Sequence, residues 1–179
     1  MDFKNTSLKY GLVAIFLHWI MAIIIISLLG LGLYMTQLPL SPEKIKLYGI
    51  HKEFGVLVLG LVILRVIWRL SNMNPLLPAY MPNWQKLAAY SAHFAFYIFM
   101  FAMPITGWIL SSASGFPVSF FGLFTLPNLV QSSENLRFLF GNIHQFLAYL
   151  FIATILLHIA GTLQHYVIYK HNLLRRMWP

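Results

Sequence analysis

The sequence of 179 residues contains no cysteine. Disulfides, thiolate zinc sites and cysteine-ligated iron–sulfur clusters are therefore excluded. Charged residues are also scarce, because only 9% of the chain is charged and 59% is hydrophobic, whereas soluble domains are roughly 25% charged. This deficit predicts a membrane protein. The length allows a single domain, residues 1–179, with about four spans of about 20 residues each.

Acidic residues are the rarest charged group, at four against twelve Lys and Arg. None of the four lies deep in an apolar stretch. Catalytic zinc bound by histidine usually recruits a carboxylate or a third histidine, and di-iron sites are built from carboxylates, so neither site is expected. The formal charge of +8 does not indicate a nucleic-acid partner, because the chain has no polar basic domain and such an excess usually reflects loop topology.

Four apolar stretches are long enough to cross a bilayer, at about residues 11–35, 47–70, 86–110 and 137–168. Ser41 is a candidate N-cap for the second, and Pro104 a candidate kink in the third. The connection at 71–85 contains three prolines and cannot be helical throughout. The connection at 111–136 is too interrupted by Gly and Pro to cross, and its phenylalanines suggest an interfacial position. The predicted fold is an all-α membrane protein, an antiparallel up-down four-helix bundle.

Lys and Arg residues favour a cytoplasmic location for both termini. With the N-terminus inside, eight of them lie on the inner side and four on the outer side. The inner set is Lys4, Lys9, Arg65, Arg69, Lys86, Lys170, Arg175 and Arg176. The outer set is Lys44, Lys46, Lys52 and Arg137.

Six of the seven histidines lie within the predicted spans and fall into two tiers. His51 and His144 are in the outer half; the inner half contains His18, His93, His158 and His165. His144 and His158 are fourteen residues apart, so they share one helix face about 21 Å apart. A lone membrane histidine can simply hydrogen-bond a neighbouring helix, but six in two tiers indicate cofactor sites. His171, in the polar tail, is expected to be solvated.

Histidine pairs in an apolar bundle suit haem, which needs one or two axial ligands and a slot for a flat ring. Bis-histidine ligation favours electron transfer over oxygen binding. Spacing does not choose His158 over His165, or His18 over His93. Small residues near the histidines either let a porphyrin approach or serve helix packing; they are Gly49, Gly55, Gly141 and Gly161. Arg65 is a candidate partner for haem propionates or a quinone carbonyl, whereas Arg69 is interpreted as a topology marker.

The motifs that surround these histidines resemble the prokaryotic cytochrome b561 family over essentially the whole chain. They are LHW, GIHKEFG, LVILRVIWRL, AHFAFYIFMFAMPITGW, NIHQFLAYLFIATILLHIAGTLQHY and HNLLRRMWP. The resemblance implies two b-type haems, one held by His18 and His158 and the other by His51 and His144. Secondary haem or quinone candidates are then Arg65, His93 and His165.

The resemblance also implies a function and a location, the bacterial inner membrane. The activity expected is oxidation of superoxide at the outer face, with electrons passing through both haems to ubiquinone near the inner side. Outer cations, namely Lys44, Lys46, Lys52 and Arg137, would attract the anionic radical. The alternative is a membrane-anchor cytochrome that relays electrons between quinone and a docked dehydrogenase or hydrogenase. A transporter or assembly factor that uses its histidines for protons is a third, non-redox hypothesis.

Overall fold

The fold is built on four long helices, in a computed structural model that describes residues 2–170 and 173–178. The helices are α1 (Leu12–Gln37), α2 (Pro42–Leu70), α3 (Asn83–Ala113) and α4 (Glu134–Val167). A small antiparallel hairpin of β1 (Val118–Phe120) and β2 (Phe124–Leu126) precedes α4, and a short 3-10 helix (Leu173–Arg176) follows it. The predicted all-α four-helix fold is confirmed. The prediction for His171 lies outside the described residues.

Three helices are long and apolar enough to cross a membrane: α1, α3 and α4. Within the described part of the chain, α2 is not one of them, although it has 29 residues. Its central residues are apolar, but it carries Lys52 and Glu53 toward one end and Arg65 and Arg69 toward the other. These charges lower the mean hydropathy of α2. Lys52 follows His51 directly, and Arg65 contacts His18.

Local sequence explains where the helices begin. Ser41 accepts a hydrogen bond from the Lys44 backbone N–H at 3.2 Å, and Pro42 occupies the first helical turn, so the predicted N-cap is confirmed. Ser133 caps α4 in the same way, through the Leu136 N–H. The proline-containing connection between α2 and α3 has no helix within residues 71–82, as predicted.

Neighbouring helices pack in chain order, α1 on α2, α2 on α3 and α3 on α4. Their shared core is entirely apolar and lies in the middle of the bundle. Its buried members are Met21, Ile25, Val58, Val62, Phe99, Met100 and Phe151. Phe99 and Phe151 stack with ring centroids 5.2 Å apart. This core separates two levels of polar side chains, one toward each end of the bundle.

The two ends of the bundle differ in what covers them. The hairpin end is formed where α3 continues into β1 and β2. Phe121 and Gly122 both have positive φ angles, and the Leu123 N–H donates to the Phe120 carbonyl, which closes a tight turn. The sequence prediction of an irregular interfacial segment missed these two strands. Phe116 and Phe124 are exposed.

The terminal end carries both chain termini. Here the first residues fold back across the start of α1, where the Leu12 N–H donates to the Asp2 carbonyl. A Cβ at Gly11 would collide with the Phe3 and Lys4 backbone, so only glycine allows this close approach. Arg176 of the 3-10 helix donates to the Leu8 carbonyl at 2.8 Å, which ties the C-terminal segment to the N-terminal one.

Candidate functional site

Toward the hairpin end, α2 and α4 bring His51 and His144 together. Their ring centroids are 6.3 Å apart, and the rings are inclined at 73°. Two metal–nitrogen bonds of about 2 Å, plus about 1.1 Å from each nitrogen to its ring centre, place imidazole centroids about 6 Å apart on opposite sides of one metal. Within residues 2–170 and 173–178, the buried Nδ1 of His51 has no hydrogen-bond partner. The pair therefore fits two axial ligands of one haem iron.

Thr106 of α3 sets the orientation of the His144 ring. Its Oγ1 lies 3.0 Å from His144 Nδ1, and 2.7 Å from the Ala102 carbonyl. The same oxygen lies 3.0 Å from the Met103 carbonyl. Because the hydroxyl donates its single proton to these backbone carbonyls, it is an acceptor for His144 Nδ1–H. This arrangement leaves Nε2 of His144 unprotonated, as a metal ligand must be. Thr106 is buried, so water does not compete for the hydrogen bond.

Gly107 and Gly32 allow neighbouring helices to approach these two rings. A Cβ at Gly107 would lie 3.2 Å from His144 Cε1, and one at Gly32 would lie 3.4 Å from His51 Cε1. The glycines singled out from sequence are placed differently. Within the described chain, a Cβ would meet no heavy atom within 4 Å at Gly49, Gly55 or Gly161, and only Leu110, at 3.8 Å, would lie close to one at Gly141.

If His51 and His144 hold a haem, as the family resemblance implies, replacing Thr106 with valine is expected to weaken its binding by about 10- to 100-fold, because valine cannot accept the His144 Nδ1–H. Haem retention during dilution of the detergent-solubilised protein measures the change. Thr106→Ser should restore retention, since the hydroxyl remains. Thr154→Val is the matched control, because among the described residues the Thr154 hydroxyl bonds only the Leu150 carbonyl of its own helix. Equal retention in Thr106→Val and Thr154→Val would contradict the orienting role of Thr106.

Toward the terminal end, three histidines and an arginine form a second cluster. His93 and His158 lie with ring centroids 5.7 Å apart. Both of them, together with Arg65, are close enough to His18 to interact with it electrostatically. Phe96 packs edge-on against His158 at 5.2 Å and links the cluster to the apolar core. The structure thus unites His18 and His158 with the secondary candidates His93 and Arg65.

Arg65 makes a specific contact with His18. One guanidinium nitrogen lies 3.3 Å from His18 Nδ1. Arginine can only donate, so in this contact Nδ1 accepts and the proton of a neutral ring is on Nε2. Ligation of a metal by His18 Nε2 therefore requires the proton to move to Nδ1 and Arg65 to withdraw. The cluster has enough imidazoles for two axial ligands, but the contact does not choose between His18 and His93 as the partner of His158.

The remaining candidates lie nearer the terminal end. His165 is in the last turn of α4, where its ring is 5.2 Å from the Tyr169 ring. The Tyr169 hydroxyl in turn accepts from the buried Gln85 amide at 3.3 Å. The Arg69 guanidinium lies over the Tyr97 ring, 5.6 Å from its centroid. Among the described residues, no group of three or more His, Cys, Asp or Glu side chains is arranged to hold a bare metal ion.

Cations at the hairpin end are more constrained than their positions in the sequence suggest. Lys52 is half-buried and donates to the Ser111 hydroxyl and the Pro117 carbonyl, both at 3.2 Å. Lys44 donates to the Leu38 carbonyl at 2.6 Å. Arg137 forms an exposed ion pair with Glu134 at 2.8 Å.

Sequence reasoning missed Thr106, Gly107 and Ser111 as contributors to this end of the bundle. They lie in adjacent turns of α3, at or near the ITGW segment that carried part of the family resemblance. A hydroxyl followed directly by a glycine on an apolar helix was the available signal. Its partner, His144, is on another helix, and only the packing of α3 on α4 reveals the contact.

Comparison with known proteins identifies the family of the chain. Residues 9–179 match the family described as prokaryotic cytochrome b561. The chain is 34% identical to cytochrome b561 homolog 2 of Escherichia coli K12, over 99% of this chain and 95% of that protein. It is 30% identical to cytochrome b561 homolog 1 of the same organism, over 96% of this chain and 97% of that protein. The family comprises four-helix, multi-pass membrane cytochromes that carry electrons on haem b. The chain therefore belongs to the prokaryotic cytochrome b561 family.

Proposed function

We propose that the protein binds two b-type haems and moves electrons across the membrane, from superoxide at the hairpin end to ubiquinone at the terminal end. The observation that carries the proposal is the separation of the histidines into two groups by an apolar core. His51 and His144 form the group toward the hairpin end. His158, with His18 and His93, forms the other. The terminal end is proposed to face the cytoplasm of a bacterial inner membrane.

Each haem, when bound, supplies a reversible one-electron couple at its iron. At the hairpin end, His51 and His144 would be the axial ligands, and Thr106 holds the His144 ring in the required tautomer. With His51 and His144 both holding the haem, the site would favour electron transfer over oxygen binding.

At the terminal end, His18 and His158 are the proposed ligands of the second haem. Arg65 would leave His18 on haem binding, and its charge would then be available to a propionate or to a quinone carbonyl. His93 lies against His158 and stays a secondary candidate for the haem or quinone site. His165, beside Tyr169 near the same end, is the other secondary candidate for the quinone.

The overall reaction balances when two superoxide ions each lose one electron and become two molecules of oxygen. One ubiquinone accepts both electrons with two protons and becomes ubiquinol. Exposed positive charge near the donor site would raise the encounter rate with superoxide. Lys46 is the exposed cation of this group for which the described structure shows neither an ion pair nor a side-chain hydrogen bond.

Superoxide supplied enzymatically should drive reduction of a soluble ubiquinone analogue by the purified holoprotein, faster than the uncatalysed background. Quinol formation measured spectrophotometrically under a constant superoxide flux tests this prediction. His51→Ala should lower the rate to background, because the donor-side haem loses a ligand. Adding superoxide dismutase should abolish the reaction in the unaltered protein. A rate equal to background in the haem-replete protein would contradict superoxide as the donor.

The exposed hairpin favours a second candidate function, that of a membrane-anchor cytochrome which relays electrons between quinone and a docked dehydrogenase or hydrogenase. Phe116, Leu123 and Phe124 are each more than half exposed beside the hairpin-end site. Two of the cations nearby are engaged, Lys52 by Ser111 and Pro117, and Arg137 by Glu134. The anchor function would be supported if the haem-replete protein is not reduced by superoxide but exchanges electrons with a quinol.

A further inference from the structure

A cavity of about 490 Å³ at the terminal end has a lining that is both basic and apolar. It lies between the N-terminal segment, the first turns of α1 and the C-terminal 3-10 helix. Its cationic side chains are Lys4, Lys9, Arg175 and Arg176, and among the described lining residues Asp2 supplies the one carboxylate. Its apolar side chains are Leu12, Ile15 and Trp178. Neither the haem sites nor the proposed electron path uses this cavity.

Hydrogen bonds between distant parts of the chain hold the cavity walls in place. Arg176 donates from Nε to the Leu8 carbonyl and from a terminal nitrogen to the Leu76 carbonyl, both at 2.8 Å. The Trp19 indole N–H of α1 donates to the Met177 carbonyl at 2.7 Å. The N-terminal segment, α1 and the C-terminal segment therefore form one connected wall.

Part of the positive charge that lines the cavity has no partner among the described residues. In the described structure, neither the Lys4 nor the Lys9 ammonium group has an ion-pair or hydrogen-bond partner. Asp2 is the only acidic side chain among the lining residues that the structure describes. Clustered ammonium and guanidinium groups around one concave space attract an anion with several acceptor oxygens, and phosphate has this chemistry.

The apolar part of the lining indicates that the phosphate belongs to a molecule that also has an apolar part. Leu12 and Ile15 belong to the first turns of a helix that is long and apolar enough to span a membrane. Trp178 is 63% exposed and packs edge-on against Trp19 at 5.7 Å, and tryptophan is enriched at membrane interfaces. Below the basic groups, α1 presents exposed Phe16 and Ile23. A soluble phosphate would use only the basic half of this site.

We infer that this cavity binds an anionic glycerophospholipid, with its phosphate among Lys4, Lys9 and the two arginines and its acyl chains along the apolar surface of α1. Basic pockets at the ends of transmembrane helices bind anionic lipid headgroups in this way. The bound lipid would join the N-terminal segment to the C-terminal 3-10 helix. The inference is independent of the electron donor and of the choice of haem ligands.

Native mass spectrometry of the detergent-solubilised holoprotein, titrated with phosphatidylglycerol or with phosphatidylcholine of the same acyl chains, tests the inference. One phosphatidylglycerol should bind preferentially per chain. Lys4→Gln with Lys9→Gln should weaken its binding about 30-fold, from the loss of two cations near the phosphate. The matched control is Lys86→Gln with Lys170→Gln, which removes the same charge from the same end of the bundle but outside the cavity lining. The control should bind phosphatidylglycerol like the unaltered protein.

Three results would overturn the inference. Equal weakening in both double variants would show that phosphatidylglycerol responds to diffuse surface charge and not to the cavity. Competition by glycerol 1-phosphate at the same concentration as the lipid would assign the site to a soluble phosphate. Loss of haem absorbance in Lys4→Gln with Lys9→Gln would assign the cavity to haem propionates. An unchanged haem spectrum in that variant, with reduced lipid binding, supports the lipid site and shows that the variant is folded.

Discussion

Replacing His144 with alanine is expected to reduce the haem content from two haem b per chain to one. The imidazole is one of two that approach each other across the hairpin-end site, with centroids 6.3 Å apart. Alanine leaves His51 as the only ligand, and no other histidine of the described chain is paired with His51 in this way. The second group, around His158, lies on the far side of the apolar core and should keep its haem.

Extraction of haem from purified His144→Ala, with protein determined by amino-acid analysis, measures this loss. Gln145→Ala is the matched control, because Gln145 is the next residue on α4 and, in the described part of the chain, its side chain donates only to the Tyr149 hydroxyl of the same helix. It should retain two haems. Addition of imidazole to His144→Ala should restore part of the hairpin-end haem spectrum, since the ligand is replaced without a change in the bundle. Two haems retained in His144→Ala without imidazole would contradict the assignment of this ligand.

The second large effect is expected at the terminal end, where three imidazoles compete for two positions. His158→Ala should lose the second haem, because His158 lies against His93 and is close enough to His18 to interact with it electrostatically. His18→Ala should lose it as well, whereas His93→Phe should retain it. Reduced-minus-oxidised spectra and haem content of the three purified variants separate these outcomes.

The opposite result for His18 and His93 would have a clear meaning. If His93→Phe loses the terminal-end haem and His18→Ala keeps it, the ligands are His93 and His158, whose ring centroids lie 5.7 Å apart. Arg65 would then serve to hold His18 as a neutral neighbour through its contact with Nδ1. If His158→Ala keeps the haem, His165 becomes the candidate ligand from α4.

The helices could be predicted from sequence because their cause is local. Membrane-length apolar stretches and the Ser41 cap identify α1 to α4 to within a few residues, although α2 begins at Pro42 and not at 47. The additional first turn of α2, residues 42–46, contains charged residues, and a search for apolar spans leaves these out. The hairpin was missed because its strands have only three residues each and its turn depends on positive φ angles at Phe121 and Gly122.

The two histidine levels were also predictable, because depth in a span follows from position along it. The grouping within a level was not. His93 and His158 are on helices that pack together, and which side chains meet depends on how α3 and α4 are rotated. The roles of Thr106 and Arg65 depend on contacts with histidines 38 and 47 residues away in sequence. No spacing rule connects residues so far apart.

Cations near the proposed superoxide site show that charges counted along a sequence do not reveal which of them are available to attract an anion. Lys52 and Arg137 were both expected to attract an anion to the hairpin end. Lys52 instead joins α2 to Ser111 and Pro117, and Arg137 is paired with Glu134. An exposed ion pair contributes little long-range field. The two termini, in contrast, assemble a basic cavity from segments that lie at opposite ends of the chain.

The number of haems per chain tests the central claim most directly. The intact protein, purified in mild detergent, should contain two haem b per polypeptide when haem is extracted and quantified against amino-acid analysis. Both should be low-spin in the oxidised state, because each iron would have two imidazole ligands. One haem per chain, or a high-spin signal from either haem in the folded protein, would contradict two bis-histidine sites.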